Sequence, residues 1–595
     1  MKNRILLSIT MVLGWMGIGC NDGFLDRYPE TSITENNFFQ SVSDLELYSN
    51  QFYDYYMWGG SGFMDITGDY PSDNILSPAT NSSLHLLMSG GISPANVGQW
   101  DWSKIRTVNF MIARAGKVTD EGAGHFIGLA RLTRANLYYY EKIWEYSDVP
   151  WYNRDLKTTD DELLYKKQDF RTLVVDSIMA DLEYAVKTMK PISDRSLLSR
   201  EAALAYLART ALFEASWRKY HPELGLNDAD VYYRKAVVAC EELMNTGSFL
   251  LYPDYEGVFR NNDLKGNQEI IFYQDYNLGD PNLVWYNNLW DASGMFSRDL
   301  METYLYIEKD KAIPFTSVDG YETKDFNTFY KNRDPRLLAS FWTPGYQRFG
   351  QPNAAIPDLL KGGYAIKKWE ATSTNQSGWG SSAKCYADLP ILRYAEVLLN
   401  YAEAKAELGT LTQVDLDKSI NLLRDRAGVP RASLSEWESA IDPVLLGKYP
   451  NVQSSQKGAV LEIRRERRVE LVAEGFRAKD LIRWSLGSYF EKMQEGLYFP
   501  NFGVYDLNAD GNPDVLLVAD RKEQNNYADL LEKYSISVYA LSDGNIMLTE
   551  GSKGYIKPAG KDDIFKFEAP KHYYTPVSEQ DILVNPNLIQ NSFWK

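Results

Sequence analysis

Cysteine and histidine are scarce in this chain, with three and four residues respectively among 595. A disulfide framework is therefore excluded, because Cys240 and Cys385 could form one bridge at most. Cys240 lies within a helical pattern and reads as a buried core thiol. The same scarcity excludes zinc sites of the Cys/His kind. Basic charge is also in deficit, 63 Lys and Arg against 80 Asp and Glu, for a net charge of −17. Nucleic acid and anionic lipid surfaces demand a basic footprint, so neither fits as a partner. Beyond the first twenty residues no apolar run approaches the roughly 20 residues that a membrane-crossing helix needs. No G-x-S-x-G elbow, H-E-x-x-H helix or phosphate loop occurs. A glycosidase needs only two well-placed carboxylates, and 80 acidic residues leave that pair open.

The opening segment is what the rest of the chain is not. Lys2 and Arg4 precede an apolar run, Ile5 to Ile18, that ends in Gly17-Ile18-Gly19-Cys20. A basic start, a short apolar core and small residues before a cut site form a secretory signal. A cysteine at the end of that run predicts a lipoprotein, with residues 1–19 removed and Cys20 acylated. Each buried methylene of such acyl chains contributes about 0.8 kcal/mol, enough in sum to tether a large domain to a membrane. Aromatic residues reach 14%, including 41 Tyr and 15 Trp. Their apolar faces and polar edges suit sugar rings and wet interfaces as well as helix packing.

Periodicity predicts a mainly helical protein. Ser43-Asp44-Leu45-Glu46 reads as a capping box opening a helix toward Tyr56, and apolar repeats follow near 104–118, 125–146 and 169–189. Ser199 caps the clearest helix, 199–217, whose Leu204, Leu207, Ala208, Ala211 and Ala215 share a stripe. Another helix runs near 229–246 and closes at Gly247. Residues 251–385 are rich in Gly, Pro, Asn and aromatics and show no long amphipathic helix. Helical pattern returns at 387–408 and 414–427, ending at Gly409 and Gly428. Paired helices with Ala402, Ala404 and Ala406 at their contact resemble a tetratricopeptide unit in a degenerate array. The expected architecture is a helical-repeat scaffold over 43–250 and 386–430 with a loop-rich excursion over 251–385. A C-terminal region, 431–595, carries a loop-rich insertion at 499–570.

Two segments carry charge in patterns. In Glu462 to Leu471 acids alternate with arginines, predicting Glu462–Arg465 and Arg467–Glu470 pairs on a helix surface, with Arg467 turned partly inward. Asp506, Asn508, Asp510, Asn512 and Asp514 place oxygens at every second position around Gly511, as a calcium loop requires. Leu517 stands where an EF-hand would have its bidentate Glu, so the loop is either a short calcium site or a solvated Asx-rich turn.

The stretch ERRVELVAEGFRAKDLIRW, Glu466 to Trp484, closely resembles a hallmark of the SusD-like (RagB/SusD) family of nutrient-binding outer-membrane lipoproteins. Phe24–Phe39, Asp334–Ser340, Leu389–Gly409 and Tyr573–Trp594 are similar to other family segments, in the family's order. The resemblance implies four tetratricopeptide-like helix pairs, a lid-like role over a SusC-like TonB-dependent transporter, and capture of an oligosaccharide or sometimes a peptide. It implies no required cofactor. Stretches comparable to the family's ligand loops hold Asp73, Asn74, Trp100, Trp285, Trp290, Trp342, Trp369 and Trp379. Sugar faces stack on such rings while Asp, Asn, Arg or Lys bind hydroxyls. Trp102, at a helix start, reads as core, and Ser578 reads as the cap of a short helix whose third position is Asp581. A glycan-binding surface lipoprotein is the leading expectation; a peptide receptor and a surface glycoside hydrolase are the alternatives.

Overall fold

The computed structural model describes residues 38–57, 68–76, 82–276, 295–349, 351–370, 387–559 and 565–595. Cys20, Trp285, Trp290, Trp379 and Cys385 lie outside these residues. No helix among the described residues is long and apolar enough to cross a membrane.

The first helix, α1 (Val42–Ser49), starts two residues earlier than Ser43 would have it. Ser41 is the cap: its hydroxyl accepts the Asp44 amide, while the Asp44 carboxylate accepts the amides of Ser41 and Gln40. Asp44 reaches both amides at 2.9 Å, so the box closes around it rather than around Glu46. A serial array follows. Helices α2 (Ser103–Ala115), α3 (Ala123–Tyr138), α4 (Arg171–Thr188), α5 (Arg200–Tyr220) and α6 (Ala229–Asn245) each pack on the next. Ser199 does cap α5, accepting from the Ala202 amide at 3.2 Å. The alanine and leucine stripe of α5 is fully inside, and its other faces are covered as well, so it forms the axis of the array. Cys240 is a free, buried thiol on α6, and burial raises its pKa far above the usual value.

The excursion separates α6 from α7 (Tyr394–Glu407) in sequence, yet the two helices pack together. The helix expected from residue 387 begins at Tyr394 instead. Residues Leu389–Arg393 form strand β2, paired antiparallel with β1 (Ile270–Gln274) and buried on both faces. Pro390 cannot donate a helical hydrogen bond, and a continuous apolar run suits a doubly covered strand. Helix α8 (Ile420–Ala427) ends on Gly428 at φ +71°, the left-handed stop that the glycine predicts. Then come α9 (Lys457–Glu470) and α10 (Arg477–Arg483), with α9 against α7. Successive antiparallel-neighbour packing of this kind is a tetratricopeptide-like helical array.

A second core gathers the excursion and the C-terminal strands, including Phe296, Tyr304, Phe341, Tyr364, Val515 and Ile556. Helix α9 is the seam: Ile463 and Leu471 belong to the helical core, Val469 and Val472 to the second. Its charges therefore do not lie on a surface. The Glu462–Arg465 pair is present at 3.5 Å, but both partners are buried. Arg467 turns inward, as its stripe implies, to Asp480 (2.8 Å) and Asn400 (2.8 Å), not to Glu470. Glu470 instead receives Arg393 (2.8 Å), Arg426 (2.5 Å) and Arg336 (3.3 Å). Burial works against its charge, yet these three guanidiniums hold the carboxyl well below the usual range. Arg393 also reaches Glu269 and Glu474, and Glu474 takes Lys368 at 2.7 Å. The excursion is thus fastened to the helical array by buried ions.

Candidate ligand cleft

An aromatic cleft opens where α2 begins. Asp101 accepts the Ser103 amide at 2.8 Å, turning the chain into the helix and leaving Trp100 and Trp102 at its mouth. Lys142 donates to the Asp101 carbonyl (2.9 Å) and lies 4.7 Å from the Trp102 ring centre, a cation–π contact that fixes the ring. Tyr152 arrives from the loop after Pro150. Its amide donates to the Tyr138 hydroxyl (2.6 Å), and its carbonyl accepts from Asn109 (2.9 Å). Trp102 meets Tyr152 edge to face at 4.9 Å and 86°, and Trp100 meets Trp102 at 5.8 Å and 81°. Such crossed pairs are the favoured arrangement of ring quadrupoles and make a stepped, pre-organised platform.

The third wall comes from the far end of the chain. Ser578 caps the helix Glu579–Val584, as the sequence suggests, accepting from Gln580. Asp581 is not used on its own helix, however: its carboxylate accepts the Trp100 amide at 3.0 Å, and burial raises its pKa. The wall is pinned to the loop before α4. Asn585 and Asn587 donate to the carbonyls of Lys166 (2.9 Å) and Tyr165 (2.7 Å). Gln168 exchanges two hydrogen bonds with the Ile589 backbone. The open cleft has a volume of about 260 Å³ and is lined by Trp100, Trp102, Tyr152, Arg106, Arg154 and Asp581 with aliphatic residues between them. Rings that can stack on sugar C–H faces stand beside groups that bind hydroxyls, as a small-ligand site requires.

Of the residues the sequence nominated, Trp100 lies in this cleft. Asp73 and Asn74 do not, and they are corrected to structural roles. Both are about 1% exposed; Asp73 pairs with Arg477 (2.7 Å) and Arg468 (3.1 Å), and Asn74 accepts from Arg468 (2.8 Å). Trp342 and Trp369 are likewise core residues, donating to Glu370 and to the Ala473 carbonyl, each at 2.9 Å. Trp369 follows two lysines, but Lys368 is itself buried on Glu474 and the Val472 carbonyl. Trp102, read as core, does pack on the helical core yet also forms cleft wall. Tyr152, Arg106 and Arg154 are not among the sequence candidates, and Asp581 is there only as a helix position. The helix break ahead of Pro150, followed by Trp151-Tyr152-Asn153-Arg154, was the available signal for Tyr152 and Arg154.

The 506–514 loop is held by its own hydrogen bonds. Asp514 accepts the amides of Leu507 and Asn508, Asp506 those of Asp510 and Gly511, and Asp510 that of Asn512. Among the described residues no three His, Cys, Asp or Glu side chains are grouped to hold a metal ion. These side-chain-to-amide bonds are those of Asx turns.

Fold and cleft together describe a helical-repeat protein: an array of paired helices beside an aromatic pocket. Comparison with known proteins supplies the family. The SusD family model matches residues 255–594, and the chain belongs to the SusD family. A SusD-like protein of Bacteroides ovatus is 25% identical over 512 residues, covering 81% of this chain and 83% of its own. SusD-like protein P38 of Formosa agariphila is 23% identical, covering 81% and 92%. Among solved structures, a SusD-like carbohydrate binding protein of Bacteroides fragilis superposes with a TM-score of 0.64 at 20% identity, covering 93% of this chain and 100% of that one. A laminarin binding SusD-like protein superposes at 0.53 and 15% identity, covering 93% and 98%. These structural likenesses establish the fold.

Proposed function

We propose that this chain is a lipid-anchored outer-membrane protein that captures an oligosaccharide in the Trp100–Trp102–Tyr152 cleft. It then passes the ligand unaltered to a SusC-like TonB-dependent transporter. The observation that carries the reading is the stepped aromatic platform beside hydroxyl-binding side chains in a member of the SusD family. Two relatives in fold are described as carbohydrate binding and laminarin binding, which supports the same ligand class. The signal-like start ending at Cys20 supplies the anchor. The cleft's chemistry supports capture without turnover. Glycoside hydrolysis by the general route uses two facing carboxylates. Asp581 is the one carboxylate among the described lining residues, and it is tied to the Trp100 amide.

Trp100→Ala and Tyr152→Ala should each weaken oligosaccharide binding about tenfold, the equivalent of about 1.4 kcal/mol of lost ring contact. Isothermal titration on correctly folded variants reads this directly. Undiminished affinity in both variants would remove the cleft from the account, and steady release of reducing ends would replace capture by catalysis. Affinity purification of the native protein should bring down a TonB-dependent barrel; recovery of unrelated proteins alone would refute the handover.

A further inference from the structure

The cleft's charge runs against that of the chain. Over the whole sequence acids outnumber bases by 80 to 63, yet the charged lining of this cleft is Arg106, Arg154 and Asp581. Asp581 is committed to the Trp100 amide, and its burial disfavours the ionised form. The two arginines are in the opposite condition. Both are exposed, and neither has an ion-pair partner among the described residues. Their neighbours are treated differently. Arg114, two turns along α2 from Arg106, pairs with Asp155 at 2.8 Å, and Arg134 pairs with Asp181 at 2.7 Å. Asp155, the residue next to Arg154, serves Arg114 and Lys157 rather than its neighbour. Carboxylates that could neutralise the cleft arginines are therefore spent elsewhere. Two exposed guanidiniums, without ion pairs among the described residues, present planar forks of donors beside a ring platform, matched to a carboxylate or sulfate on a molecule whose ring stacks nearby.

Resting on the saccharide reading above, we infer that the ligand of this cleft is an anionic saccharide, bearing uronate carboxylates or sulfate esters, whose charge is met by Arg106 and Arg154. A neutral sugar would find only hydroxyl contacts from these groups. An anionic one would gain two charge-assisted interactions while relieving the uncompensated positive charge at the site. The acidic remainder of the surface would repel the same ligand elsewhere, so discrimination comes from the contrast.

The test uses the detergent-solubilised full-length chain and oligosaccharides in matched pairs. Each uronate-bearing member is set against its carboxyl-reduced form, and each sulfated member against its desulfated form. The acidic member of at least one pair should bind about tenfold more tightly or better, since a hydrogen bond to a charged group is worth at least that factor. The advantage should shrink as NaCl rises from 50 to 500 mM (about 3 to 1 in Debye length). Arg106→Gln and Arg154→Gln, both at exposed positions, should lower the acidic-to-neutral ratio by weakening the acidic member more than the neutral one. The carboxylate and sulfate arms identify which anion is recognised. Equal affinity within every pair, or a ratio that neither substitution moves, overturns the anionic assignment and leaves saccharide capture standing. Failure of all members, neutral and acidic, to bind overturns both.

Discussion

Arg393 shows what a single side chain does in this fold. It stands at the end of β2, where the excursion returns to the helices, and its guanidinium meets Glu269, Glu470 and Glu474 within 2.9 Å. All are buried, so its removal would leave three carboxylates facing Arg426, Arg336 and Lys368 with their balance broken. Arg393→Ala should cost about 3–5 kcal/mol, the usual penalty for orphaning a buried charge. Urea unfolding followed by circular dichroism measures it; a loss below about 1 kcal/mol would mean that water or rearranged partners replace the arginine. The sequence showed that Arg464 to Glu470 is dense in ions and that Arg467 leans inward. It could not show that Glu470 belongs to Arg393, Arg426 and Arg336, because those partners come from segments far apart in the chain. Asp73 illustrates the same limit: polar and in a loop-like stretch, it looked available, and only folding brings Arg477 against it.

At the scale of elements, helix α9 is the seam between two cores, and its spacing depends on Gly458. A β-carbon there would lie 2.0 Å from the Trp437 carbonyl oxygen, a backbone atom that has no rotamer to escape into. Alanine is ordinarily the better helix former by about 1 kcal/mol. Gly458→Ala should nonetheless destabilise the protein by about 1–3 kcal/mol, the usual cost of overpacking, read as a lowered thermal midpoint. A raised midpoint would show that the Ser433–Ala440 segment yields freely. Helix existence was legible from apolar period and caps: Ser199, Gly428 and Ser578 do what their residue types suggest. Boundaries were less so. The run from residue 387 reads as helix, but short apolar runs also suit a buried strand, and pairing with β1 made Leu389–Arg393 one.

For the whole molecule, the buried ion network makes stability depend on acid. Glu403 lies between Arg483 and Trp484; burial opposes its charge, but Arg483, Arg467 and Arg464 prevail and bring its pKa down to about 2. A carboxyl lowered in the folded state contributes its full stability above its unfolded value near 4.5 and loses it as pH falls toward 2. Glu470, shifted in the same direction, adds to this window. Unfolding free energy should therefore be flat near neutrality in this respect and fall steeply between pH 4.5 and 2. In Glu403→Gln that slope should be shallower. Identical slopes in the two proteins would mean that other carboxylates control acid unfolding. The long reach of the fold also explains why the cleft was half seen: Trp100 and Asp581 are 481 positions apart in sequence and share one hydrogen bond.

What the sequence determined by itself was local or compositional. The helical period, the caps, the scarcity of Cys and His, the signal-like start and the ordered family segments can all be read along the chain, because each depends on neighbours within a few turns. What tertiary structure alone decided was which polar groups are spent and which remain free. Asp73, Asn74, Trp342 and Trp369 were consumed by packing, whereas Arg106 and Arg154 stand exposed beside two tryptophans and a tyrosine with no ion pair among the described residues. The physical reason is that burial and partnership belong to distances in space. The desolvation of a charge or a ring is fixed by what folds over it, and the chain's order alone does not contain that information.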